Sequence, residues 1–274
     1  MTAKDAPSDL AGAWRLRDAE GEHECTMLLP GDVISTLHDA GLIPDPYWGR
    51  NEYDLRWIAD RDWTVSRRIT LDRTDVDLVL SSVDCVATVR LGGQVVHESA
   101  NVFRSYRIDL SGVAVVGEQD LSITLHSSTA AADALQAEQP FYIPYHQANS
   151  PIPNGNMLRK VQCDFGWDWN IALAPMGLYG DVRIEPQAQP RIEALAIHQA
   201  HAQDAVALTV TADMAEAEGM VVIICFAGQE VEKVVTGGKV SVVFDIDNPN
   251  LWWPAGLGDQ HLHDLTVTCG TATA

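Results

Sequence analysis

Apolar and polar residues alternate with a period of two through most of this chain. The runs TVSRRITL (64–71), DVDLVLSSV (75–83), CVATVRL (85–91), QVVHES (94–99), DLSITLHSS (120–128) and GDVRIEP (180–186) read as strands. Gly92-Gly93 separates two of them and predicts a hairpin, because a two-residue primed turn needs positive φ. Helical spacing is confined to two segments. Residues 31–46 set Val33, Ile34, Leu37 and Ala40 on one face, with Asp32 placed to cap the start, Gly41 to end it and Pro44 beyond. Residues 128–140 are alanine-rich, open on Ser/Thr and stop at Pro140. Many strands with two short helices on connections predict an all-β chain built as a sandwich with excursions.

Composition shifts at PQAQP (186–190). Beyond it, IEALAIHQ, AVALTVTADM, GMVVIICFAG, KVSVVFDI and HDLTVTC are strands at the spacing of an immunoglobulin-like β-sandwich. Two domains follow, 1–188 and 189–274. The run from 191 to 274 is shorter than the roughly 100 residues such a sandwich takes, and the chain ends directly after a strand. An incomplete second sandwich, lacking a last strand, is therefore expected.

Charge narrows the partners. The net charge is −20, which argues against nucleic acid and against anionic membranes, since both select basic surfaces. The N-terminus lacks a basic segment followed by an apolar one, and no run reaches the roughly 18 apolar residues of a membrane span. Cys25, Cys85, Cys163, Cys225 and Cys269 are odd in number and have no CxxC spacing. That pattern suits free thiols in a reducing compartment, so a cytoplasmic location is expected and metal binding by cysteine is not.

The common catalytic signatures are missing: there is no GxSxG, HExxH, Walker loop or GxGxxG. His261 and His263 would share a strand face, but a solvated pair explains them more simply than a metal. Glycoside hydrolysis needs two carboxylates about 5–5.5 Å or 6.5–9.5 Å apart. Asp164 and Asp168 are candidates, yet four extended residues span about 13 Å. No complete active site is visible in this chain.

RKVQCDFGWDWN (159–170) is nevertheless unusual, because two indoles flank one carboxylate. Two readings stay open. In a strand, Phe165, Trp167 and Trp169 would share a buried face and leave Asp168 outside. In a sugar subsite, an indole covers the C–H face of a ring and the carboxylate accepts hydrogen bonds from hydroxyls. Phe165 and Trp169 lean to core, and Trp167 and Asp168 carry the site reading. Gly166 allows a bend or a close approach. In LWWPAGLGDQ (251–260), adjacent Trp252 and Trp253 would face opposite ways on a strand, so one enters the core and the other marks an interface.

Four motifs together resemble one family. They are PGDVISTLHDAGLIPDPYWGRNEYDLRWIADRDWTVSR (30–67), VDCVATVRLGGQVVHESANVFRSYRIDL (83–110), NGNMLRKVQCDFGWDWNIALAPMGLYGDVRIE (154–185) and LWWPAGLGDQHLHDLTV (251–267). In order, and over nearly the whole chain, they resemble the N-terminal portion of the β-mannosidases of glycoside hydrolase family 2. The resemblance implies a galactose-binding-like jelly-roll β-sandwich, then an immunoglobulin-like β-sandwich, then a catalytic TIM barrel for which this chain has no residues. It implies retaining hydrolysis of terminal β-D-mannosides without a cofactor or an obligatory metal. Both catalytic glutamates would lie in the barrel, so no catalytic residue is expected here. The motif puts Trp167 and Asp168 at the −1 sugar subsite as substrate-binding residues. It also points to Arg159 or Lys160 as holding the loop through an ion pair with an acid such as Asp164. The expected partners are a β-mannoside and the barrel. The segment NIALAPMGLYG departs from the family's more common continuation, which bears on the exact sugar. A standalone carbohydrate-binding module, or a pair of purely structural sandwiches, are the alternatives.

Overall fold

The computed structural model describes residues 7–166 and 170–274. The chain divides into two compact units, Met1–Gln187 and Ala188–Ala274.

In the first unit a six-stranded antiparallel sheet runs in the order Glu24–Leu29, Gly12–Asp18, Trp63–Leu71, Gly117–Leu125, Val86–Leu91, Gln94–Ala100. A four-stranded sheet runs Ser8–Asp9, Val182–Pro186, Val76–Leu80, Tyr106–Asp109. Leu16, Val65, Val89 and Ile123 of the first sheet share one apolar core with Leu78, Leu80, Ile108 and Ile184 of the second. This is the sandwich that the alternation foretold, with inward positions apolar and outward ones polar, and the jelly roll that the resemblance implied. A third, small sheet joins Gly31–Asp32, Gly177–Leu178 and Val83–Asp84. It carries Asp84 toward the candidate loop.

Three readings change in detail. The run 75–83 is not one strand; it ends at Leu80, and pairing resumes at Val83–Asp84 in the small sheet. Val76–Leu80 is buried at every position, Asp77 included, because that carboxylate accepts bonds from Arg107 Nη1 and Gln187 Nε2, each at 2.9 Å. A helix at Asn51–Leu55, continued as a 3₁₀ turn over Arg56–Asp60, was not foreseen. Leu55, Ile58 and Ala59 are buried at helical spacing, so the signal was present but short. The two expected helices are Val33–Asp39, where Asp32 Oδ1 accepts from Ser35 N, and Ser128–Ala137, where Ser127 Oγ accepts from Ala130 N.

The second unit packs the sheet Arg191–His201, Ala205–Ala215, Lys239–Asp247 with the sheet Gln229–Val234, Val221–Phe226, Leu265–Cys269, Ala272–Thr273. Val210, Val222, Ile224, Phe244 and Val267 form its core, as in an immunoglobulin-like sandwich. Ala272–Thr273 supplies a short final strand where none was expected. Trp252 and Trp253 correct another expectation. They lie in an irregular segment rather than a strand, and neither enters the core: they are 55% and 48% exposed. His261 and His263 belong to the same segment. His263 packs on Phe226 with ring centroids 5.8 Å apart, and its Nε2 lies 2.9 Å from Asn250 O.

Gly92 and Gly93 both take positive φ, 56° and 83°, between the paired Leu91 and Gln94. Gly92→Asn should therefore leave the unfolding free energy of the first unit within about 0.5 kcal/mol of wild type. Gly92→Val should lower it by about 1–2 kcal/mol, the cost of a branched side chain in the left-handed region. Urea titration followed by tryptophan fluorescence tests both.

Candidate functional site

Residues 159–166 are not extended. Gln162–Asp164 forms a 3₁₀ turn, and Gly166 N donates to Cys163 O at 3.0 Å. The extended backbone assumed for this stretch is thus corrected as far as Gly166. The turn arises because Gly166 takes φ 101°, a conformation that favours glycine. Trp167 and Asp168, the substrate-binding candidates, lie outside the described residues, as does Trp169. What the structure shows is the chain on either side of them, a stem formed by residues 159–166 and 170–175.

The two sides of the stem are tied at several levels. Phe165 pairs with Ala172 in an antiparallel bridge. The Asp164 carbonyl accepts from Leu173 N at 3.2 Å and Ala174 N at 2.8 Å. The second of these bonds holds Ala174 in the left-handed region at φ 42°. Asn170 Nδ2 reaches Cys163 O at 3.3 Å. From the unforeseen helix and its 3₁₀ continuation, Glu52 Oε2 accepts from Ala172 N, and Arg56 Nε donates to Ala172 O. Phe165 is buried with Ile152, Leu158 and Ala172, as its core reading required. Its ring fills the space where a Cβ on Gly155 would stand. Gly166 likewise lies against Pro151, which leaves no room for a side chain.

Lys160 closes the stem from beneath. Its side chain is wholly buried. Its ammonium meets three acceptors: Asp84 Oδ2, Asp164 Oδ2 at 2.8 Å and Pro175 O at 2.6 Å. An ammonium has three donors, so the group is fully satisfied. Of the two basic residues in the motif, Lys160 is therefore the one paired with Asp164. Arg159 is exposed; its carbonyl accepts from Val102 N at 3.0 Å. The sequence reading missed Asp84. A carboxylate inside the apolar run SSVDCVATV is the signal that could have found it, since a buried acid needs a cation or donors.

Charge in this cluster is unbalanced, with two carboxylates facing one ammonium. Burial pushes the Asp84 carboxyl up to about 6, against the opposing pull of Lys160, and the charges of Asp164 and Asp32 push the same way. Its second oxygen, Oδ1, is buried with no hydrogen-bond partner among the described residues. Three clefts border the stem, two of them with tyrosine and histidine in their lining. One, of about 320 Å³, is lined by His38, Asp45, Tyr47, Asp164, Asn170 and Tyr179. The other, of about 250 Å³, is lined by Tyr145, His146, Asn156, Gln162 and Phe165. Aromatic faces with carboxylates, amides and imidazoles are suited to hydroxyl-rich ligands. Elsewhere, Asp18, Glu22 and His23 lie close enough to share an ion, but Arg61 already donates to Asp18 at 2.7 Å and pairs with Glu22 at 2.9 Å.

Comparison with known proteins places these features in a family. The model of the glycosyl hydrolase 2 galactose-binding-like domain matches residues 14–180, and that of glycosyl hydrolases family 2 matches 181–273. Beta-mannosidase B of Aspergillus terreus is 30% identical over 94% of this chain, and a probable beta-mannosidase of Caenorhabditis elegans is 29% identical over 96%. The chain spans only 32% of each, about a third of their length. The crystal structure of a beta-D-mannosidase from Dictyoglomus thermophilum superimposes on 96% of this chain and 34% of its own, with a TM-score of 0.81 at 23% identity. That likeness shows the shared fold.

The raised Asp84 carboxyl gives a signed pH prediction. The folded state holds this proton more tightly than the unfolded chain, whose carboxyl titrates near its ordinary value of 3.8. Its stabilising contribution is full below that value and is lost as pH rises toward about 6. Asp84→Asn should therefore gain stability relative to wild type between pH 4 and 7, on the order of 2 kcal/mol. Denaturant midpoints of both proteins across that range check it. A difference independent of pH would contradict it.

Proposed function

The chain belongs to glycosyl hydrolase family 2, and from that membership we propose that it forms the N-terminal part of a retaining β-mannosidase. In this reading the jelly-roll unit presents the Trp167–Asp168 loop to the −1 sugar subsite of a catalytic barrel outside this chain. Asp168 accepts hydrogen bonds from sugar hydroxyls, for which an ionised carboxylate has only acceptor sites. Trp167 walls the subsite and covers the apolar face of the ring. The two glutamates of the barrel perform the chemistry. One protonates the leaving oxygen while the other attacks the anomeric carbon, and water then hydrolyses the glycosyl-enzyme with the first acting as base.

The observation that carries the reading is the stem. In sequence the two indoles and the carboxylate fall between Asp164 and Pro175, and the buried ammonium of Lys160 holds both of these. Burying charge is costly, and here it fixes the base of a loop that contains the residues suited to a sugar. The relatives' printed name, β-mannosidase, supplies the substrate class. Alone, this chain would not hydrolyse mannosides, since the paired catalytic carboxylates belong to the barrel. All five cysteines are free and no described helix is long and apolar enough to cross a membrane. The free thiols support the cytoplasm as the compartment.

In the longer protein that continues this chain into the barrel, Asp168→Ala should lower kcat/KM for p-nitrophenyl β-D-mannoside by roughly 10²-fold or more. That is the scale of a charged hydrogen bond to the reacting sugar. Steady-state kinetics at the wild-type level would remove Asp168 from the site.

A further inference from the structure

We propose that the cleft of about 250 Å³ between residues 145–152 and residues 155–165 binds one neutral, hydroxyl-rich ring, such as a single pyranose. The site uses neither Trp167 nor Asp168 and does not depend on the role given to them. What defines it is how its walls are held and which polar atoms they leave open.

Both walls hang from one helix, Ser128–Ala137. Asp133 and Gln136 are three residues apart and so share a face of it. Gln136 holds the first wall: its Nε2 donates to Phe141 O at 3.3 Å, and its Oε1 accepts from Ile143 N at 3.0 Å. That wall then turns back on itself, where His146 O accepts from Asn149 N at 3.1 Å and Ser150 N at 3.0 Å. Asp133 holds the second wall: its Oδ1 accepts from Asn154 Nδ2 at 2.7 Å, just before the 3₁₀ turn Gly155–Met157. The buried ring of Phe165, set against Gly155, also lines the cleft. The cleft is therefore formed before any ligand arrives, which lowers the ordering cost of binding.

Its chemistry selects the ligand. Among the described residues the lining holds no carboxylate, ammonium or guanidinium, although the chain carries a net charge of −20. A charged ligand would meet no counter-charge here, so a neutral one fits. The rings of Tyr145 and Phe165 offer apolar surface to the C–H groups of a sugar. Gln162 supplies a fixed acceptor. The carbonyls of Gly155, Leu158 and Lys160 surround one end of its amide at 3.1, 3.4 and 3.2 Å. Only the nitrogen can meet carbonyls, so the amide is oriented, and Oε1 has no hydrogen-bond partner among the described residues. Asn156 is similar: its Nδ2 lies 3.5 Å from Pro144 O, and its Oδ1 has no partner among the described residues. The Ser150 hydroxyl and the His146 imidazole add donors. A hydroxyl donates and accepts at once, so a ring bearing several of them matches this mixture, whereas an apolar ring would leave the amide oxygens unpaired. The volume lies below the roughly 300–1,000 Å³ of pockets for drug-sized molecules, which limits the occupant to one ring.

Titration of this chain with methyl β-D-mannopyranoside, followed by proton–nitrogen NMR, tests the site. Saturable shifts are expected in the side-chain amides of Asn156 and Gln162 and in backbone amides of residues 145–157. The dissociation constant should be on the order of 1–10 mM, the scale of one small ring. Tyr145→Ala and Gln162→Met should each weaken binding by roughly fivefold or more. If Gln162→Met does not fold, because three carbonyls lose their donor, Tyr145→Ala carries the test. Mannobiose separates the two sources of such a ring. Binding tighter by roughly tenfold marks a residue of a longer saccharide, and equal binding marks a free monosaccharide. The absence of saturable shifts, or binding that survives unweakened in the folded variants, overturns the proposal. Shifts centred on residues 163–171 overturn it too, while supporting the sugar reading of Trp167 and Asp168. Wild-type kinetics of Asp168→Ala in the longer enzyme would remove that reading and leave this cleft standing.

Discussion

The ammonium of Lys160, buried among Asp84, Asp164 and the Pro175 carbonyl, is the interaction on which the candidate site depends. A buried charge is tolerated only when its hydrogen bonds are complete, and here three donors meet three acceptors. Removing the cation would leave two carboxylates facing each other without compensation, a loss of about 3–5 kcal/mol for a broken buried pair. Burial, and after it the charge of Asp164, costs the intact cluster too, since both push the Asp84 carboxyl up. The cluster therefore gives specificity of position more than stability.

The rest of the first unit is a platform for that cluster. Two antiparallel sheets enclose one apolar core, and their register fixes where each connection leaves the sandwich. The small sheet of Gly31–Asp32, Gly177–Leu178 and Val83–Asp84 gives Val83 and Leu178 to this core and brings three distant parts of the chain together. The aromatic packing of Phe165 with Ile152 and Leu158, and the closeness of Gly155 and Gly166 to their neighbours, set the loop base sterically. Core, sheet and ion cluster point to the same arrangement, which is what a rigid loop base requires.

The sequence showed the strands clearly because alternation reports which face is buried, and the Gly92-Gly93 hairpin because only a turn explains two such residues there. It misled where burial and period part company. Val76–Leu80 is buried at every position, and the small polar Ser81-Ser82 that follows did not read as a break between two strands. Asn51–Leu55 is too short for helical spacing to stand out. The adjacent tryptophans at 252 and 253 suggested a strand, although Pro254 and two nearby glycines favour irregular backbone. Around the site, an ion pair between Asp164 and a basic residue of the motif was legible only through the family resemblance, which left Arg159 and Lys160 both open. Asp84 is 76 residues from Lys160 in sequence, and local pattern cannot see a contact made by sheet topology. The family's Trp-Asp motif was legible only as a motif.

The central claim is that this chain holds a sugar ligand for an active site completed outside it. Hydrolysis of p-nitrophenyl β-D-mannoside by this chain alone, and by the longer protein that continues it through a barrel, tests that claim most directly. The account predicts turnover by the longer protein and none by this chain. Turnover by this chain alone would mean that a catalytic carboxylate pair lies within its own two units, and would contradict the account.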